Sequence, residues 1–339
     1  MTQPLLTLEK HINMRPSLLI RHPLVSYFTL AYVIAWLLWL PLVLSKGGGI
    51  GLIPFTTDAT VDGAITISLI ILGAFGPAIA AVFMTAVTEG RTGVGLLFRR
   101  IARVRVGFQW YLVALFFPLL PTFFLLLLAV LLAPDQYAHV FSMQGGAALL
   151  GYVVAVLIGM VLGSPLGEEP GWRGFALSRL QQHMGPFKGS LLLGTLWGLW
   201  HAPLAFFTVW GKVYQLAGVV PSFLLFILTA ICYAIVMTWM FNNTRGSIFL
   251  AIMFHSAIDS IGVIALILFP KSAGSVNASG LTLLGQLAIY AALWAVIAGI
   301  VLVVTKGRLS YQPCIEQEVY LHHVPPAELQ SEQRDHSAS

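Results

Sequence analysis

Three short stretches of the chain carry side chains that can do chemistry together. "EEPGWRG" supplies Glu168, Glu169 and Arg173, "LWGLWHAP" supplies His201, and "FHSAIDS" supplies His255 and Asp259. Carboxylates beside imidazoles are general acid–base apparatus. Two histidines plus one glutamate would also satisfy a catalytic zinc site with an open position. Helical spacing sorts the residues. Successive positions point about 100° apart, so Glu168 and Glu169 cannot both face one atom. Glu169 and Arg173 stand at i and i+4 and can pair, which leaves Glu168 as the carboxylate available for chemistry. His255 and Asp259 share one helix face by the same rule. Pro165, Pro170 and Gly171 predict a kink or a restarted helix, because the residue before a proline avoids the α region. Each stretch also has a purely structural explanation: a loop where Glu–Arg pairs solvate a helix end, a packed core histidine, and a His–Asp pair that satisfies itself.

The elements that must hold these residues are membrane spans. The 339 residues are 58% hydrophobic and only 9% charged, whereas soluble domains carry about 25% charged residues. Eight apolar runs are long enough to cross a bilayer, near 24–45, 65–87, 108–133, 147–166, 189–210, 219–241, 247–269 and 281–304. Unpaired amides are not tolerated in hydrocarbon and no alternating ten-residue pattern suggests a barrel, so these runs must be helices. The reading is an all-α bundle of about eight transmembrane helices over residues 23–305, after a cytoplasmic segment 1–22 and before a flexible cytoplasmic tail 306–339. Residues 1–21 are mixed and polar and do not read as a signal peptide.

Charge sets the orientation. With the N-terminus inside, the inner segments hold Lys10, Arg15 and Arg21; Arg91, Arg99, Arg100, Arg103 and Arg105; Arg173, Arg179 and Lys188; Arg245; and Lys306, Arg308 and Arg334. Only Lys46, Lys212 and Lys271 fall outside, so both termini are expected in the cytoplasm. Among the 13 acids only Glu168, Glu169 and Asp259 lie in or against spans, and among the nine histidines only His201 and His255 do. Ionisable groups there are costly and mark function. The topology puts the histidines and Asp259 in one depth band and the glutamates shallower, at the end of the fourth span. A single polar cavity open to the cytoplasm would hold them all.

Other features read as architecture. "GLLFRRIARVRVGFQWY" is either an interfacial amphipathic helix that gathers anionic partners or, as favoured, a basic anchor obeying the positive-inside rule. Gly159, Gly163 and Gly167, with Gly194 and Gly198, form small-residue stripes expected to bring the fourth and fifth spans together. Cys232 and Cys314 form no disulfide framework or zinc ribbon.

The three stretches, in order, resemble the CPBP family of intramembrane proteases (CAAX prenyl protease and bacteriocin-processing, or Abi-type). The motifs read Glu168-Glu169-x-x-x-Arg173, Trp197-x-x-x-His201 and His255-x-x-x-Asp259, across roughly 150–265. Asp259 stands where prenyl-protein proteases of the family carry asparagine, and Pro-Gly follows the glutamates. The resemblance implies an eight-helix bundle with a conical cavity, and an intramembrane endopeptidase of metallo or glutamate type acting on a membrane-associated peptide or protein. It implies that Glu168 and His201 activate a water, that His255 and Asp259 complete the site, and that Arg173 holds Glu169. In a metal-dependent version Glu168, His201 and His255 would hold a divalent ion such as zinc; a metal-independent glutamate mechanism is equally compatible. Neither HExxH nor GxSxG occurs, which sets aside zincins and serine hydrolases. The alternatives are a non-catalytic relative acting as a membrane chaperone or immunity protein, and, more remotely, a transporter, for which no paired halves are visible. The lipid bilayer is an expected partner and nucleic acid is not; a bacterial plasma membrane is the expected location.

Overall fold

A computed structural model describes residues 18–46, 49–54, 61–132, 143–207, 218–268 and 282–313. The segments 1–17 and 314–339, and with them most of the two expected flanking regions, lie outside the described residues. The helices, in chain order, are α1 (Leu18–Arg21), α2 (Pro23–Leu44), α3 (Val61–Ala74), α4 (Gly76–Ile101), α5 (Phe108–Phe116), α6 (Leu119–Leu132), α7 (Met143–Leu162) and α8 (Pro165–Glu169). A π-helix (Pro170–Leu177) follows, then α9 (Ser178–Trp200), α10 (Ala202–Phe207), α11 (Val219–Asn243), α12 (Ile248–Asp259), α13 (Ile261–Leu268) and α14 (Leu283–Val304). Among the described residues there is no strand, only an isolated bridge between Ser45 and Ile53.

Each of the eight expected spans corresponds to helix, but not all are simple rods. Among the described residues six runs are long and apolar enough to cross a membrane: Pro23–Leu44, Gly63–Ile101, Gly145–Leu162, Pro165–Phe207, Val219–Asn243 and Leu283–Val304. The third expected span is the pair α5 and α6, bent by 46° at Pro118, where the ring removes a helical donor. The seventh is the shorter apolar run Ile248–Ile264.

The glutamates do not sit at the end of the fourth span. That span, α7, stops at Leu162, and α8 starts afresh at Pro165. Proline suits a helix start, because its missing N–H would be unpaired there anyway. From Pro165 the chain runs through α8, the π-helix and the first part of α9 to Gly185, whose φ of 78° breaks the helix. It then runs back to His201. The two limbs pack antiparallel: a Cβ on Gly189 would lie 3.3 Å from Leu180 and Gln181. Glu168 lies 17 residues before Gly185 and His201 lies 16 after it, so the limbs place them level. The expectation of shallower glutamates is thereby corrected, and its cause is the break at Gly163 and Ser164. The pre-proline rule is overridden too, since Glu169 keeps helical angles (φ −65°, ψ −33°) in its tightly packed setting.

The small-residue stripes work, but against other partners than expected. A Cβ on Gly159 would meet Ser256 Oγ of α12 at 2.4 Å, and one on Gly167 would meet Ala74 O at 2.7 Å. Gly194 and Gly198 lie against Ile231 and Ile227 of α11. Close backbone approach is what glycine offers a membrane interface. It draws α12 and α11, rather than α7 and α9, into contact.

The basic residues gather at one end of the bundle. Arg103 donates to the Arg245 carbonyl, Arg179 pairs with Glu89, and Asn242 Nδ2 donates to the Leu309 carbonyl at 2.9 Å. Turns at 101–107 and 244–247 and the chain after α14 therefore meet at one face. Arg173 leaves this group: it is fully buried inside the π-helix rather than in a loop.

Candidate active site

Glu168 sits in the first turn of α8 and is 2% exposed. Its Oε2 accepts from two indoles, Trp172 Nε1 at 3.2 Å and Trp197 Nε1 at 2.8 Å. Glu169, one residue on, points elsewhere. Its Oε1 accepts from Arg173 Nη1 at 2.8 Å and stands 2.8 Å from His255 Nδ1. The pairing of Glu169 with Arg173 predicted from spacing is present. The contact with His255, from a helix 86 residues away, was not foreseeable from spacing. The π-helix begins at the next residue, and its i→i+5 geometry shifts the face presented by the following side chains, a device frequent at functional sites.

Arg173 is enclosed on all sides. Its guanidinium carbon lies 4.7 Å from the Trp197 ring centroid, and Nη2 lies 3.0 Å from Met237 Sδ. Desolvated arginines gain from an aromatic face. Trp197 therefore does several jobs: its N–H donates to Glu168, its ring covers Arg173, and its carbonyl accepts from His201 Nδ1.

His201 Nδ1 lies 2.8 Å from the Trp197 carbonyl. A carbonyl only accepts, so Nδ1 carries the hydrogen and Nε2 is the acceptor of the neutral ring. The ring is wedged edge-on between Trp200 and Phe226, with centroids 4.7 and 5.2 Å away. His255 is 4% exposed. Its close partner is Glu169, on Nδ1; Asp259, the partner suggested by the i,i+4 spacing, stands 3.7 Å from Nε2, beyond hydrogen-bond length. Asp259 instead accepts from Ser164 Oγ at 3.3 Å, and its side chain is 47% exposed.

Glu168, His201, His255 and Asp259 border one cavity of about 290 Å³, with Ser164 beside them and Trp39, Ile70, Ala74, Trp200 and Leu204 as apolar walls. Glu169 and Arg173 lie behind that surface. Of the six residues singled out by the motifs, four line the space and two brace it from within.

Sequence reasoning gave no role to Trp172 or Arg100, and named Trp197 only as part of the His201 motif. Trp172 stands at i+4 from Glu168, and Trp197 four residues before His201, so helical spacing carried both signals. Arg100, within the basic stretch, turns inward. Its Nη1 donates to the Gly174 carbonyl at 3.2 Å, Nη2 to Ser178 Oγ at 3.0 Å and Nε to the Gly246 carbonyl at 3.3 Å. It ties the exit of the π-helix to the turn that opens α12. That turn needs glycine at 246, where φ is 72° and a Cβ would lie 2.9 Å from Arg100 Nη2. Ser247 then caps α12 by accepting from Leu250 N at 3.3 Å, and its own hydroxyl donates to the Arg103 carbonyl at 2.7 Å. The stretch read as a plain basic anchor thus also fixes the helix that carries His255.

A metal held by Glu168, His201 and His255 would have to use Glu168 Oε1 and the two Nε2 atoms, since a ligating histidine commonly keeps its other nitrogen on a carbonyl or carboxylate. Glu168 Oε2 is occupied by two indole donors, His201 Nδ1 by a carbonyl and His255 Nδ1 by Glu169. Among the described residues no three His, Cys, Asp or Glu side chains are grouped so as to hold a metal ion.

Residues 149–261 match the family model of the Rce1-like type II CAAX prenyl endopeptidases. "CAAX prenyl protease 2" of Methanococcus maripaludis is 38% identical over 122 residues, which cover 35% of this chain and 44% of that relative. The chain therefore spans less than half the length of that curated relative. The matched segment contains all three motifs and the cavity-lining residues Ser164, Glu168, Trp200, His201, Leu204, His255 and Asp259.

Proposed function

We propose that the chain is an endopeptidase that hydrolyses a peptide bond of a membrane-associated protein or peptide, a reading supported by the match of residues 149–261 to the Rce1-like CAAX prenyl endopeptidases. The observation that carries the reading is the convergence of Glu168, His201 and His255 on one cavity inside a membrane bundle. Glu168 takes a proton from a water that His201 holds, and the water oxygen adds to the scissile carbonyl carbon. Negative charge develops on the carbonyl oxygen, and His255 stabilises it, its ring held by Glu169 through Nδ1. The C–N bond then breaks, and Glu168 returns its proton to the leaving amine. Arg173 holds Glu169 in place. The mechanism is written without a metal, because among the described residues no three ligating side chains are grouped so as to hold one, and cleavage by the purified protein is expected to survive chelation that strips divalent ions.

The test compares peptides cleaved in cells that carry the wild-type chain, Glu168→Ala or His255→Ala, with membrane insertion checked for each. Cleavage products present with the wild type and missing with both variants are expected. Identical products in all three would sink the reading and leave the non-catalytic chaperone or immunity role.

A further inference from the structure

Two arginines from separate turns share one place at the basic end of the bundle. Arg103, in the turn after α4, donates from Nη1 to the carbonyl of Arg245, in the turn before α12. The Arg103 carbonyl in return accepts from Ser247 Oγ at 2.7 Å, so each turn holds the other. Their two positive side chains are thereby kept close. Burial, and then the neighbouring Arg245 charge, lower the Arg103 pKa from its ordinary value. Like charges repel, and such a pair is relieved by an anion between them. Among the described residues no carboxylate pairs with Arg103, Arg105 or Arg245; Glu89, the acid that forms an ion pair at this end, is taken by Arg179. The tendency of basic residues to collect on one side of a membrane explains why arginines stand here. It does not explain why two of them, from distant segments, are held side by side.

Next to the pair the surface turns apolar. α5 starts at Phe108, just after the Arg103 turn, and Phe108, Leu112 and Phe116 are 73%, 44% and 38% exposed. Their spacing of four places them on one face of α5, one above the other. Another side of α5 is packed: the Tyr111 ring meets Phe249 of α12 edge-on at 6.5 Å, and its hydroxyl donates to the Val104 carbonyl. A cationic pair that continues into an exposed apolar stripe is complementary to a molecule with an anionic head and a hydrocarbon chain. We infer that Arg103 and Arg245 form a binding site for the phosphate of an anionic phospholipid, whose acyl chain lies along Phe108, Leu112 and Phe116. Basic pockets between helices at a membrane surface take anionic headgroups in this way. The phosphate oxygens accept from both guanidiniums and neutralise the like-charge contact. Bound there, the lipid bridges the turn that opens α5 to the turn that opens α12, and so steadies the start of the helix that carries His255. The site stands on these two turns and α5, and does not rest on the peptidase reading.

The test uses the full-length chain in an uncharged detergent, with phosphatidylglycerol, phosphatidylcholine or inorganic phosphate added. Binding is read by native mass spectrometry and by the unfolding temperature. Phosphatidylglycerol is expected to bind and to raise the unfolding temperature. Phosphatidylcholine, which has no net charge, and inorganic phosphate, which has no chain, are expected to do neither. Arg245→Asn removes one charge and keeps a residue type that tolerates the left-handed backbone at this position, where φ is 53°. It should weaken phosphatidylglycerol binding about fivefold, and Arg103→Gln added to it about 25-fold. Lys188→Gln, at an exposed basic position of α9 outside both turns, should leave binding unchanged. Four results would overturn the inference: equal stabilisation by phosphatidylcholine, equal stabilisation by inorganic phosphate, an equal loss in Lys188→Gln, or undiminished binding to Arg245→Asn. Should the double variant fail to accumulate, Arg245→Asn against Lys188→Gln decides alone. Lipid binding requires no turnover, so a chain without peptidase activity still gives an answer.

Discussion

Glu168 and Glu169 are adjacent in the chain and stand in two different regions of the protein. The Glu169 side is sealed: carboxylate, guanidinium and imidazole are locked at 2.8 Å contacts, with a tryptophan face over the arginine. The Glu168 side is a cavity wall, where the carboxylate keeps one oxygen uncommitted and an exposed acid, Asp259, borders the same space. A single helical step separates them. The sealed region can hold geometry but cannot exchange anything with a substrate; the cavity wall can do chemistry only because the sealed region fixes its histidine. Stability and activity should therefore divide between the two carboxylates.

The largest expected effect is on activity at the cavity wall. Glu168→Gln keeps the shape and an oxygen for the two indoles but removes the base, so cleavage should fall by about 10²–10⁴-fold. Thermal unfolding in detergent should change little, and a parallel loss of stability would erase the distinction drawn above. Next comes the sealed side. Glu169→Gln leaves a buried arginine without its counter-ion, a loss of about 3–5 kcal/mol. Replacing both charges, as in Glu169→Gln with Arg173→Met, should recover much of that stability but not cleavage, since His255 loses its carboxylate. Trp197→Phe bridges the two regions. It removes a hydrogen bond to a carboxylate, about 1.5–3 kcal/mol, and should lower both unfolding temperature and turnover. The smallest effect belongs to the exposed pair of Glu89 with Arg179. Glu89→Gln should cost about 0.2–1 kcal/mol, which calibrates how much the burial of the other pair matters.

Much of this was legible beforehand for physical reasons. Spans announce themselves because a helix in lipid must be apolar over its whole length. Rare ionisable residues inside such runs could only be site or brace. The i,i+4 spacing alone also assigns Arg173 to Glu169. Contacts between distant helices were not legible. Glu169 meets His255 only because the run from Pro165 starts afresh after Gly163 and Ser164, and the i,i+4 rule pointed instead to Asp259. The basic stretch before α5 read as an anchor because arginines on a cytoplasmic loop need no other explanation. Three carbonyl and hydroxyl partners for Arg100, from two segments far along the chain, are a tertiary fact with no local pattern. The prolines were misjudged in part: Pro165 starts a helix as expected, whereas Pro170 opens a π-helix without displacing Glu169 from helical angles.

The two indoles on Glu168 have a further consequence. Indole N–H groups donate and never accept. The oxygen they share, Oε2, is thus barred from carrying a hydrogen for as long as both indoles stay in place. Every proton that this carboxyl gains or releases must travel through Oε1, so the group behaves as a one-port relay rather than a symmetric acid. A peptide substrate then meets the same port twice, first when water is deprotonated and again when the amine departs, and the direction of approach is set before the substrate arrives.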